Sequence, residues 1–221
     1  MTSTSMSPLF THRKYSFLNR NSGFTLVELL VVISVVLILS GITFGISRGV
    51  QNSQARAQAK AELAVIAQGL EQFKALYGDY PWLDSTTDET EAVKFFKSLW
   101  GWMKLERRES LAPGSDSIVK LVDLENSGAR FIDATKMRLN GSLPDEDEDG
   151  APTNLFLVDP WGNNYVYTYN KKNSGNAWDN FGYVLYSQGP DSKCAPVGAD
   201  GILTESLRTN SLNTDNIYSG I

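Results

Sequence analysis

The sequence predicts an α+β fold in which one long N-terminal helix packs on a small antiparallel sheet. Residues 24–46 are almost wholly apolar, and the chain continues to residue 77 in Ala, Gln, Glu, Lys and Leu, which favour helices. Residues 154–170 and 180–191 instead alternate apolar with polar residues around Gly, Pro and Asn turns, as strands do. Strands of this kind packed on a helix are enough for a stable domain.

The predicted helix has two parts of different character. Residues 24–47 carry a single charge, that of Glu28, and have the length of about 20 residues that crosses a bilayer. Residues 48–77 carry one apolar stripe, with alternating spacings of three and four, for packing a head domain. The stripe consists of Leu63, Ile66, Leu70, Phe73 and Tyr77. Gly78 and Pro81 then favour the end of the helix.

The distribution of charge predicts how the chain crosses a membrane. Residues 1–23 contain Arg13, Lys14 and Arg20 and no acid, so we expect this leader to stay cytoplasmic and the rest to cross. A cleaved secretory signal is the competing interpretation, although the apolar run is longer than a usual signal core and contains an acid.

Composition argues against several classes of function. The formal net charge is −5, and no cluster of Lys and Arg suited to phosphate contacts is visible, which argues against nucleic-acid binding. His12 is the only histidine and Cys194 the only cysteine. A Ser-His-Asp or Cys-His mechanism, a zinc site of the His and Cys kind and an internal disulfide are therefore disfavoured.

A carboxylate near the start of the apolar run needs an explanation. Placing Glu28 in lipid costs roughly 2.5–3.5 kcal/mol unless it finds a partner, and snorkelling to the headgroups is the simplest alternative. Its context is GFTLVELLVVISVV, which begins at Gly23 and follows the short basic leader. This block resembles the processing site of type IV prepilins and of the pseudopilins of type II secretion. The resemblance implies a type IV pilin-like fold.

The resemblance also implies a role for three residues. A prepilin peptidase would cut after Gly23, and Phe24 would become the new, N-methylated N-terminus. Glu28 would pair with the N-terminal ammonium of a neighbouring subunit as it joins a filament. Two charges that neutralise each other in an apolar bundle set the register of assembly, whereas either one left alone is costly.

The head, residues 78–221, is expected to begin with a second helix. Residues 85–105 open with capping residues and acids, and then place apolar side chains at helical spacing. These side chains are Val93, Phe96, Trp100 and Met103. Residues 107–149 do not match the family and look like an insertion, with one or two short strands at SIVKLVDL and ARFIDA.

Part of the head resembles the major pseudopilin of type II secretion. The matching segments are the DPWGN turn at 159–163, YVLYSQGPD at 183–191 and TDNI at 214–217. In that family a calcium ion closes the loop that follows the strand, through carboxylate and carbonyl oxygens of the kind that calcium prefers.

The family pattern assigns candidate calcium ligands in this chain. Asp191 and Asp215 stand at the matching positions, Gln188 would offer its carbonyl, and Asp200 is an extra candidate ligand. The chain departs from the pattern at Ser192, where a glycine commonly follows the Asp, and in the length of the loop. Solvated acids without a metal are the competing interpretation.

A second acidic loop offers an alternative calcium site. Asp145, Asp147 and Asp149, followed by Gly150, match the D-x-D-x-D-G opening of a calcium loop. An EF-hand needs a bidentate Glu at the twelfth position, which Phe156 occupies here. A solvated acidic loop is the competing interpretation.

The resemblance implies a structural subunit of a pseudopilus that supports protein export, and not an enzyme. Its partners would be copies of itself and other pseudopilins, the prepilin peptidase, and an inner-membrane assembly platform with its ATPase. The chain would cross the bacterial inner membrane once, with a cytoplasmic N-terminus and a periplasmic head. A major or minor pilin of a type IV pilus is the nearest alternative. A membrane-tethered binding or hydrolytic domain is an alternative of another class.

Overall fold

A computed structural model of the protein describes residues 23–83, 89–108, 118–144, 151–169, 178–180 and 182–220, with the backbone alone at 42–49, 107–108 and 118–119. Contacts divide the chain into one unit that ends at Arg48 and a second that runs from Gly49 to Ile221. The predicted α+β class is confirmed, because an N-terminal helix packs on small antiparallel sheets.

Helix α1 runs from Leu26 to Tyr77. It ends where the sequence predicts, because Gly78 adopts a left-handed φ of 88° and its N–H donates to the carbonyl of Lys74 at 2.7 Å. This bond satisfies one of the carbonyls that the last turn of a helix leaves free. Within the first unit, the described side chains of residues 23–41 are all exposed.

Across the part of the chain that the structure describes, no helix is both long and apolar enough to cross a membrane. The span predicted at residues 24–47 includes side chains that lie outside this part, and it stays a prediction. The predicted leader lies outside it as well, except for Gly23.

Helix α2 (Glu91–Leu99) confirms the second helix that the sequence predicts. The helical spacing was expected to continue to Met103, and this was wrong. Gly101 adopts a φ of 85° just after the helix, and a Cβ there would lie 2.8 Å from the carbonyl oxygen of Ala129. The chain therefore turns at a position that only glycine fits, and Met103 begins a strand.

A two-stranded antiparallel hairpin begins before the predicted insertion and extends into it. Strand β1 (Met103–Arg108) pairs antiparallel with β2 (Ile118–Asp123). The sequence predicts β2 from SIVKLVDL but not β1, and the ARFIDA segment contains no strand and leads into a 3-10 turn at Ala134–Lys136. Lys97 of α2 is buried and forms an ion pair with Asp123 at the end of β2, which ties the hairpin to the helix.

A second sheet has the antiparallel strand order β3-β4-β5. Its strands are β3 (Val166–Thr168), β4 (Val184–Ser187) and β5 (Ile217–Tyr218). The sequence predicts β3 and β4. The strand predicted around Leu157 forms only isolated bridges, and β5 comes from a tail, beyond the short helix α3 (Glu205–Arg208), that has no alternating pattern.

The core lies between the second half of α1, helix α2 and the β3-β4-β5 sheet. The predicted stripe is confirmed, because its first four residues are at most 1% exposed and Tyr77 is half-buried. Each such side chain stabilises the fold by about 1.5–3 kcal/mol through the apolar surface it removes from water. Residues packed with the stripe include Phe95, Phe96, Leu99, Leu157, Tyr167, Leu185 and Ile217.

Substituting Gly69 tests how closely α1 packs on the head. A Cβ at this position would lie 2.8 Å from Cγ2 of Ile132 and 3.2 Å from the carbonyl oxygen of Phe131. Gly69→Ala should lower the free energy of unfolding by about 1–3 kcal/mol through overpacking, although alanine is the better helix former. Urea unfolding followed by near-UV circular dichroism measures this.

Gly41→Ala is the matched control, because a Cβ there meets nothing within 4 Å. This variant should leave the unfolding midpoint of the head unchanged. If Gly69→Ala were as stable as the wild-type protein, the close approach of α1 to residues 131–132 would be contradicted.

Candidate functional site

A capping box between Thr25 and Glu28 closes the N-terminus of α1. Glu28 Oε2 accepts from the backbone N–H of Thr25 at 3.2 Å and from its hydroxyl at 3.1 Å. In return, Thr25 Oγ1 accepts from the N–H of Glu28 at 3.2 Å. The pair satisfies donors that the first turn of a helix leaves free, and it holds the carboxylate beside the peptide bond between Phe24 and Thr25.

The sequence analysis missed Thr25, although T-x-x-E before an apolar run is the sequence signature of such a cap. Gly23 and Phe24 precede the helix and are exposed, Phe24 by 83%. The predicted cleavage bond after Gly23 therefore lies outside the hydrogen-bonded helix, where an enzyme can reach the backbone without unwinding it.

Two tyrosines that flank β3 tie the sheet to α1 and to the residues just after it. The hydroxyl of Tyr165 donates to Glu62 Oε2 at 2.5 Å, and that of Tyr169 donates to Asp79 Oδ1 at 2.5 Å. Burial, together with the hydrogen bond to Glu62, raises the pKa of Tyr165 well above its usual value. Burial and the hydrogen bond to Asp79 raise the pKa of Tyr169 in the same way. Both hydroxyls therefore keep the protons that they donate.

A fully buried carboxylate, Asp159, organises the DPWGN turn. Its Oδ1 accepts from the N–H of Trp161 at 3.0 Å and from the N–H of Asn163 at 2.9 Å. Its Oδ2 accepts from the hydroxyl of Ser187, the last residue of β4, at 2.6 Å. One side chain thus joins the turn to the strand from which the candidate loop, residues 188–195, departs.

The contacts of this turn continue to Gly189 in the candidate loop. Ser187 Oγ accepts from the N–H of Gly189 at 3.1 Å, and Asn163 Nδ2 donates to the carbonyl of Gly189 at 2.8 Å. Gly189 has a φ of 69°, and a Cβ there would lie 2.6 Å from the carbonyl oxygen of Asp215. Only glycine lets the tail of the chain come this close to the loop.

The tail residues 213–216 close over the candidate loop, and we call the two segments together the clamp. Asp215 Oδ2 accepts from the N–H of Asp191 at 3.3 Å. Asn213 Oδ1 accepts from the N–H of Ala195 at 2.7 Å. The structure therefore places Asp191 and the backbone of Gln188 in one loop that faces Asp215.

Cys194 is half-buried inside the candidate loop. Gln188 Nε2 donates to its sulfur at 3.0 Å. Burial, followed by a hydrogen bond to Cys194, raises the pKa of Tyr186 on the adjoining strand β4. The thiol therefore contacts both the loop, through Gln188, and the strand that precedes it, through Tyr186.

A family model described as the prokaryotic N-terminal methylation motif matches residues 18–44. The chain carries a prepilin-type motif. No curated protein sequence and no solved structure matches the chain significantly. The matched region contains Gly23, Phe24 and Glu28 and does not extend into the head.

The prepilin-type motif indicates a substrate of a prepilin peptidase with a membrane-anchored N-terminus. The motif also places the capping box next to a predicted site of cleavage. The carboxylate of Glu28 lies within one helical turn of the predicted cleavage bond, so the acid and the predicted new N-terminus occupy the same end of α1. Thr25, which holds this carboxylate, belongs to the same motif.

The oxygen atoms of the clamp are of the kinds that calcium binds. Asp191 and Asp215 offer carboxylates and Gln188 a carbonyl, and the space that a Cβ of Gly189 would fill is taken by oxygens of Asp215. In the ranges that the structure describes, no three His, Cys, Asp or Glu side chains could hold a metal together. A cation here would therefore depend on amide and carbonyl oxygens as well.

Asp200 has contacts of its own outside the clamp. Asp200 Oδ1 accepts from the N–H of Ile202 at 3.1 Å, and its carbonyl accepts from the N–H of Asp179 at 2.8 Å. The structure does not group Asp200 with the two clamp carboxylates as a set of metal ligands. Asp145, Asp147 and Asp149, the alternative calcium loop, lie outside the described residues.

A double-mutant cycle on Asp159 and Ser187 tests the organisation of the turn. Asp159→Asn and Ser187→Ala should each lower the free energy of unfolding by about 1–3 kcal/mol, because each leaves a buried polar group without its partner. The double variant should cost little more than the worse single change, since both remove the same hydrogen bond. Urea unfolding of the four proteins measures the coupling, and additive losses would contradict the contact.

Proposed function

We propose that the chain is a structural subunit of a pseudopilus of the type II secretion kind, a filament that supports protein export. A prepilin peptidase cuts after Gly23, and Phe24 becomes the N-methylated N-terminus. Processed subunits polymerise through α1, and Glu28 pairs with the N-terminal ammonium of a neighbouring subunit. The start of α1 crosses the inner membrane, and the head lies in the periplasm.

The observation that carries this proposal is the prepilin-type motif with its acid held at the helix start. Both cap hydrogen bonds to Glu28 end on Oε2. A carboxylate has two oxygens with about four lone-pair sites, so Glu28 can keep the cap and still accept from an ammonium. The cap also reduces the rotamer freedom that the side chain would lose on pairing.

The exposed apolar side chains of α1 support polymerisation through this helix. Phe24, Leu26 and Leu37 are 70–83% exposed in the single chain. Apolar surface of this kind is costly in water at about 25 cal/mol per Å². Lipid removes that surface from water before assembly, and the same helix of neighbouring subunits covers it in a filament. Because Glu28 is the lone acid in this surface, it favours the arrangement of neighbouring subunits that brings a positive charge next to it.

The head supports a pseudopilus subunit over a pilus subunit. The segments that resemble the major pseudopilin are distant in the sequence, yet hydrogen bonds connect them. Asp159 of the turn accepts from Ser187 of the strand, and Asp215 of the tail accepts from Asp191 of the loop that follows this strand. We extend the proposal to calcium, held by Asp191, Asp215 and the carbonyl of Gln188. The ion would supply positive charge that joins the loop to the tail. The partners follow from the same proposal: other pseudopilins, the prepilin peptidase, and the assembly platform with its ATPase.

Glu28→Gln tests the assembly role. Glutamine keeps the size of the side chain and an oxygen that can accept from Thr25, but it removes the charge. We expect the variant to be processed and to reach the membrane, while its fraction in sheared filaments falls at least about tenfold, because an unpaired buried charge costs about 3–5 kcal/mol. Quantitative immunoblotting of membrane and filament fractions measures this.

Glu125→Gln is the matched control, because it makes the same change at an exposed position of the head and should enter filaments normally. Normal incorporation of Glu28→Gln would contradict the assembly role and favour a tethered domain that only shares the anchor.

A further inference from the structure

Strand β1 has one edge, which we call the open edge, that pairs with no other strand in the part of the chain that the structure describes. Its other edge pairs with β2, and there the N–H of Leu124 donates to the carbonyl of Trp102 at 2.9 Å. In an antiparallel ladder, the backbone groups of successive residues alternate between the two edges of a strand. The N–H and carbonyl of Leu105, three residues after Trp102, therefore point to the open edge.

The side chains of β1 follow a self-complementary order around Leu105. Lys104 and Glu106 share one face of the hairpin, and Leu105 lies on the other face, opposite Leu121 of β2. Both leucines are only half-buried, so the pair keeps apolar surface in water. Reversing the direction of the segment leaves a leucine between two charges and exchanges their signs. This order fits an antiparallel copy of itself.

Charge selects one register for two antiparallel copies of β1. Residues that lie opposite each other must share a face of the sheet, which limits the registers that are possible. With Leu105 opposite Leu105 of a second copy, each Lys104 faces a Glu106, and the two leucines exchange both backbone hydrogen bonds. The two nearest registers instead place Lys104 opposite Lys104 or Glu106 opposite Glu106, and like charges in such pairs are destabilising.

We propose that the open edge of β1 binds the same edge of a second copy of this chain. The two hairpins then form one four-stranded antiparallel sheet, in the order β2-β1-β1-β2, about a two-fold axis at Leu105. Leu105 and Leu121 of the two copies make a continuous row of leucines on one face of this sheet. A two-fold contact closes on itself, so this surface pairs two heads and is separate from polymerisation through α1. Pairing also covers a strand edge that would otherwise attract other chains.

A cysteine in place of Leu105 tests the pairing directly. The Cα atoms of a hydrogen-bonded pair of opposite residues lie about 5.5 Å apart, which a disulfide can span. We expect Leu105→Cys to give a disulfide-linked dimer under mild oxidation, in the full chain in detergent micelles. Cys194→Ser in the same chain removes the only native thiol. Non-reducing electrophoresis measures the cross-linked fraction.

Val122→Cys is the matched control, because Val122 is half-buried in the same hairpin but belongs to β2. In the proposed sheet it lies three strand spacings, at least about 14 Å, from its counterpart in the second copy. This variant should give no disulfide-linked dimer under the same conditions.

Charge exchange tests the register. In the Leu105→Cys chain, Lys104→Glu places acid opposite acid, and Glu106→Lys places base opposite base. Each change alters both symmetry-related pairs, so each should lower the cross-linked fraction by about tenfold or more. A mixture of the two variants should restore cross-linking between them, because the two introduced charges then face each other and Lys104 faces Glu106 in the other pair. Tags of different length identify the mixed dimer on the gel.

The outcomes are distinct. A Leu105→Cys dimer that is lost in both single charge variants and restored in their mixture supports the inference, and the restoration shows that neither variant is merely misfolded. The inference is overturned by a Leu105→Cys chain that does not cross-link, by equal cross-linking of Val122→Cys, by charge variants that cross-link normally, or by a mixture that restores nothing. The roles proposed for Glu28 and for the clamp are tested separately from this contact.

Discussion

Helix α1 must satisfy two environments with one backbone, and the rest of the molecule depends on how it does so. Its first part keeps apolar side chains exposed, whereas its second part buries a stripe beneath the head. Apolar burial alone is non-directional and does not define a register. The directional contacts come from tyrosine hydroxyls on acids, among them Tyr165 on Glu62, which are satisfied in only one alignment of sheet and helix. The head is therefore positioned on the helix by polar contacts and held there by apolar ones.

The clamp follows a different principle, because its tail has few apolar residues to bury. Asp159 gathers backbone donors of a turn and the hydroxyl of Ser187, and Ser187 in turn accepts from Gly189. This series of hydrogen bonds positions the loop independently of the tail. Ser192 completes the turn with a φ of 58°, a left-handed conformation that costs a residue with a side chain more than it costs glycine. The departure from glycine at this position is thus tolerated as local strain.

Features that depend on short-range pattern could be predicted from the sequence, and features that depend on long-range contacts could not. The stripe of α1 follows from helical spacing, and the end of the helix follows from Gly78. Strand β1 was missed because the apolar residues keep helical spacing up to Met103, whereas the chain leaves the helix at Gly101, which has a left-handed φ and lies against Ala129. Asp159 bonds within its own turn and also to Ser187, 28 residues further along the chain, so the local pattern alone does not indicate that this acid is buried. For the site, motif spacing points to Glu28, whereas the contact between Asp215 and the loop depends on how the tail folds back.

Assembly through Glu28 depends most on the identity of the mature N-terminus, because Glu28 can pair with an ammonium only if one is produced at Phe24. Mass spectrometry of the protein extracted from membranes reads this terminus directly. We expect a chain that begins with N-methylated Phe24. A chain that keeps Met1, or one cut beyond residue 46, would lack that ammonium and would contradict assembly through Glu28.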